Sequence, residues 1–95
     1  MQLTYNNKPL MPTKTAMDEL SDNDLDLYKA IEILETGFPI RKRQQNITEK
    51  GIQKGNKIIN VVVVDMGSYY KLIHAGKFTL NRKFKELVRR AKNEF

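Results

Sequence analysis

The sequence predicts an α+β fold: a small antiparallel sheet, built on a central hairpin and joined by an N-terminal strand, packed by an N-terminal acidic helix and a C-terminal basic amphipathic helix. Three stretches carry that expectation. In 78–95 the apolar residues Leu80, Phe84, Leu87, Val88, Ala91 and Phe95 fall at the spacing that places one stripe on an α-helix. In 58–64, IINVVVV, β-branched residues occupy both parities, as in a strand covered on both sides. Between 47–53 and 58–64 stands Gly55-Asn56, a two-residue hairpin turn flanked by Lys54 and Lys57.

Taken in order, 1–15 reads as strand and connector. Residues 2–5 alternate weakly and precede Asn6-Asn7, a pair that tolerates positive φ, while the prolines in 9–15 suggest a connector. Residues 16–37 read as one acidic helix, N-capped near Ser21, with Asp22 and Asp24 in its first turn and a left-handed cap at Gly37 before Pro39. Leu27, Ala30, Ile31 and Leu34 share its apolar face. Residues 38–65 form a basic hairpin, its first strand polar enough to be an edge and its second central. Residues 68–95 read as a basic segment like a helix-turn-helix: a short helix over 68–75 with His74 at its C-terminal end, a turn at Gly76, and a final helix capped by Thr79.

Ninety-five residues fit one domain. The absence of Cys excludes disulfides, thiolate metal sites and thiol catalysis, and one histidine excludes a His-rich metal cluster. The N-terminus lacks the features of a secretory signal and the longest aliphatic run, 61–64, is far too short for a membrane span, so a cytoplasmic protein with no membrane partner is expected. The net charge of +6 divides unevenly. Residues 1–37 hold three basic and seven acidic side chains, net −4, whereas 38–95 hold fourteen and four, net +10. Such a dipole suits a polyanionic partner for the basic part, or neutralisation within the fold or in a homodimer.

Most chemical motifs fail on inspection. A true helix-turn-helix would need apolar residues six and nine positions after Gly76, where Arg82 and Lys85 stand. Asp22, Asp24 and Asp26 resemble a calcium loop, but Leu27 occupies the glycine position and Ile33 the final glutamate position. Gly76-Lys77 is followed by Phe78 where a phosphate loop needs Ser or Thr. Asp65, at the end of a buried strand and near Glu49, has the setting of a metal-dependent nuclease carboxylate, though it also suits a capping role. No catalytic residue, metal or cofactor is assigned.

The expected function is therefore a small, non-enzymatic nucleic-acid-binding protein, regulatory in character. Its phosphate contacts would come from Arg41, Lys42, Arg43, Lys50, Lys54 and Lys57 on the hairpin and from Arg82, Lys83, Lys85, Arg89 and Arg90 on the last helix. Tyr69 and Tyr70 are adjacent, so one can stack on an unpaired base while the other enters the core. The alternative is a protein-binding regulator or inhibitor, such as an accessory factor of a phage or other mobile element, docking its basic face on an acidic protein surface or its acidic helix on a basic one.

Overall fold

The computed structural model describes residues 3–41, 44–80 and Arg89. Its elements run β1 (Thr4–Tyr5), β2 (Lys8–Pro12), α1 (Lys14–Asp22), α2 (Leu27–Thr36), β3 (Phe38–Pro39), β4 (Ile47–Lys54), β5 (Lys57–Asp65) and β6 (Tyr70–Thr79). The result is an α+β domain with one six-stranded sheet of order β1-β2-β6-β5-β4-β3. All neighbours are antiparallel except β2 and β6, which run parallel, so the sheet is mixed and not the small antiparallel one expected.

The prolines of 9–15 do not make a connector: Lys8–Pro12 is a strand. Leu10 N donates to Leu3 O on the β1 side. By alternation Pro12 would face the same way, beyond the end of β1, and Pro9 precedes the first residue paired to β6, so neither lacks a ladder donor where one is needed. Asn6 and Asn7, at φ 52° and 65°, close the β1–β2 turn.

The acidic helix expected over 16–37 is two helices. Thr13, not Ser21, caps α1, its Oγ1 accepting from Ala16 N at 3.0 Å, and Asp26 caps α2 by accepting from Lys29 N at 2.9 Å. Between them Asp24 adopts φ 56°. Leu25 N then reaches Leu20 O at 2.8 Å and Asp24 N reaches Ser21 O at 3.1 Å, the paired bonds of a Schellman motif with an aspartate where glycine usually stands. Gly37 is not left-handed. At φ −76° and ψ 176° it is extended, and the helix passes straight into β3.

Residues 70–75 of the helix expected over 68–75 are the first half of β6, and Thr79 is the last residue of that strand; the helix expected to start from it lies outside the described residues apart from Arg89. A β-bulge explains the misleading pattern. Val63 stands opposite Leu72 but Val62 opposite His74, leaving Ile73 as the extra residue. Leu72 and Ala75 therefore face the same side three residues apart, a spacing that imitates a helix. The turn-and-helix sequence proposed for 68–95 is thus overturned in its first part. Its second part lies outside the described residues apart from Arg89, which is helical and exposed.

Strand β5 carries the fold. Ile59, Val61 and Val63 pack with Ala16, Leu20, Ala30, Ile33 and Leu34 of the helices and with Leu72 and Ala75 of β6. On the opposite face Ile58 packs with Phe38, Ile40, Leu80 and Phe78. Strand β4 is next to the edge and not the edge itself, because β3 pairs with Lys50 and Gly51. Removing this much apolar surface from water is the main favourable term of folding.

Candidate nucleic-acid interface

Register decides which basic side chains meet. Lys54 stands opposite Lys57, Lys57 opposite Thr79, and Lys77 opposite Ile59. Residues directly opposite share a face, and Ile59 belongs to the helix-packed core, so Lys54, Lys57 and Lys77 emerge together on that face at the turn end of the hairpin. All three are exposed. Lys57 Nζ donates to Thr79 Oγ1 at 2.6 Å, while Lys54 and Lys77 form no ion pair among the described residues. Lys50, opposite Val61, lies on the same face and is half-buried. Sequence patterning missed Lys77 because 70–79 was read as helix and turn.

Arg41 belongs to the other face. Its Nε lies 3.3 Å from Glu49 Oε1, and Glu49 stands opposite Val62, which alternates with the helix-facing residues. The expected basic ribbon over 41–57 is therefore divided: Lys50, Lys54 and Lys57 on the helix face, Arg41 on the reverse. Lys42, Arg43, Arg82, Lys83, Lys85 and Arg90 lie outside the described residues.

Glu49 is the one buried charged residue among those described, its side chain wholly covered. Oε2 accepts from Asn60 Nδ2 at 2.8 Å and Oε1 forms an ion pair with Arg41, so the buried carboxylate is satisfied by a hydrogen bond and a charge partner. Asp65 is separate from it, since its parity on β5 places it on the helix face. There Asp65 Oδ1 accepts from Gly67 N at 2.9 Å and from Lys8 Nζ at 3.0 Å. These bonds, the backbone one foremost, hold its carboxyl below the ordinary range. The two acids do not share a site, and among the described residues no group of three or more His, Asp or Glu is placed to hold a metal ion.

His74 is a strand residue and not a helix-end partner; its Nδ1 lies 3.2 Å from Glu19 Oε1 of α1. Tyr70 is the core member of the tyrosine pair, edge-on to Tyr5 at 4.9 Å with Lys8 over its ring. Burial, foremost, pushes the Tyr5 hydroxyl's pKa up. Tyr69 instead lines a shallow groove with Pro9, Met11, Pro12 and Lys71. A second groove, about 520 Å³, runs between α2 and the hairpin end, lined by Asp24, Asp26, Tyr28, Glu32 and Lys54 among others. Tyr28 is 65 % exposed there.

The fold defines a class only: a small α+β protein built on a mixed six-stranded sheet. Compared with protein-family models, with curated proteins and with solved structures, the chain matches none. Among the described residues no helix is long and apolar enough to cross a membrane.

Proposed function

We propose that this chain is a non-enzymatic nucleic-acid-binding protein that contacts the phosphate backbone, with Lys54, Lys57 and Lys77 as its best-defined contacts. The observation that carries this is the convergence of three exposed lysines from three strand segments on one face. A lysine held to a neighbouring carboxylate has little left to offer a phosphate, and none of these three is so held among the described residues. Asp24, Asp26 and Glu32 line the groove that Lys54 enters, so the phosphate path runs over Lys57 and Lys77, away from α2.

Neutralising about five phosphates gives a fall of log K with log salt of slope about −4 to −5. Gel shifts with single-stranded and duplex DNA and RNA, repeated across a salt series, measure it. The paired substitution Lys57→Glu and Lys77→Glu is expected to weaken binding on every sequence alike. Absence of binding at low salt, or indifference to that double substitution, would reject the assignment.

One observation favours the alternative, a protein-binding regulator. The groove between α2 and the hairpin end joins an exposed tyrosine to charges of both signs, the make-up of a protein interface. Pull-down after nuclease treatment separates the two. A stoichiometric partner that survives the nuclease and is lost with Tyr28→Ala supports docking through α2.

A further inference from the structure

We infer that Glu49 is a positioning residue that holds the Arg41 guanidinium as a phosphate clamp on the face of the sheet opposite the helices; this rests on the nucleic-acid function proposed above. Glu49 is 2 % exposed, whereas Arg41, bound to it through Nε, keeps 47 % of its side chain open to solvent. The pair is thus anchored from beneath and reachable from outside. An arginine tethered by Nε has lost most of its rotamer freedom before it meets a ligand, and its planar fork matches the geometry of a phosphate.

Stability alone does not account for the carboxylate. The chain at this point is already tied down, because Ile40 N donates to Glu49 O at 3.3 Å and the Ile40 side chain is 4 % exposed in the second core. Glu49 faces Val62, which is itself buried, and an apolar residue there would avoid the desolvation of a charge. Yet the sequence has a glutamate at 49, and beside it Asn60 donates to Oε2 at 2.8 Å, fixing the orientation in which Oε1 meets Arg41. A buried carboxylate that accepts from Asn60 and ion-pairs a half-exposed arginine is the arrangement of a support for that arginine.

The test is fluorescence anisotropy with a labelled single strand and a labelled duplex of about 20 nucleotides, titrated over a salt series. Arg41→Ala is expected to raise Kd about tenfold and to reduce the salt slope by about one. Arg41→Lys keeps the charge but loses the Nε anchor and the fork, so it recovers the slope and not the affinity. Glu49→Gln is expected to raise Kd in the wild-type background and to change nothing further once Arg41 is alanine, a non-additivity that a merely structural glutamate would not produce. Should Glu49→Gln fail to fold, Asn60→Ala, which frees the other carboxylate oxygen, supplies the same cycle. Additive losses in that cycle, or an Arg41→Ala variant that binds as wild type while Lys57→Glu and Lys77→Glu do not, would overturn the clamp and leave the nucleic-acid function standing. If the unaltered protein fails to bind either probe at low salt, both fall together.

Discussion

Gly37 offers a sharp distinction between two physical reasons for a glycine at a helix end. A left-handed cap requires positive φ, and asparagine tolerates that region nearly as well as glycine does. Gly37, however, is extended, and a Cβ built on it would lie 2.4 Å from Ile33 O and 2.6 Å from Gly51 O. Ordinary carbon–oxygen contacts begin at about 3.3 Å, so two backbone segments would each have to yield by roughly 0.7 to 0.9 Å. Neither is free to do so, since Ile33 O already accepts from Gly37 N at 2.8 Å and Gly51 is paired on both sides, to Phe38 and Asn60. Overpacking costs about 1–3 kcal/mol, and a clash with backbone on two sides belongs at the upper end. At roughly 4–8 °C per kcal/mol in a domain of this size, about 3 kcal/mol lowers Tm by about 12–24 °C for Gly37→Ala. Gly37→Asn, being larger, should be worse still. Gly55 is the control: at φ 63° with nothing within 4 Å of its Cβ position, its cost is conformational alone, so Gly55→Ala and Gly55→Asn should each cost about 1 kcal/mol. Thermal and urea denaturation of the four variants gives the answer. A Gly37→Asn protein as stable as Gly55→Asn, or more stable than Gly37→Ala, would refute close packing as the reason for Gly37.

Two further outcomes follow from local geometry. Asp24→Gly should raise stability by about 0.5–1 kcal/mol in urea melts, because glycine meets the left-handed requirement at φ 56° without the cost that aspartate bears. For Asp65 the folded carboxyl titrates below its ordinary value of 3.8, so on acidification the unfolded chain takes the proton first. Its contribution is complete above about pH 5 and disappears as the pH falls through the folded value. Asp65→Asn should therefore flatten the acid limb of a stability–pH curve and leave its shape above pH 5 or so unchanged. An equally steep acid limb in the variant would show that other carboxylates control it.

How far residues announced their structure depended on whether the cause was local. The strand at 58–64 was legible because covering both its faces demands apolar residues at both parities, and the turn before it because Gly55 and Asn56 suit its backbone. The break between α1 and α2 was hidden because Asp24 occupies the position a glycine would have advertised. Strand β6 was hidden by its bulge, which places Leu72 and Ala75 on one side with helical spacing, and by partners far away in sequence. The candidate site suffered in proportion. Lys54 and Lys57 were found because a hairpin turn brings them together. Lys77 could be added, and Arg41 moved to the opposite face, only once the long-range register was known.

That register also orders events in time. The parallel pairing joins Met11 to Lys71, sixty positions later, and Tyr70–Thr79 is the last described strand. During synthesis α2 and the β4–β5 hairpin find partners before β6 emerges, but α1, which packs on β6, and β2, its edge unsatisfied, must wait until β6 leaves the ribosome. Contacts so distant in sequence slow folding, because loop closure is costly before any contact rewards it. A chain ending before residue 70 would keep an unpaired N-terminal hairpin, free to pair with another chain instead of its own.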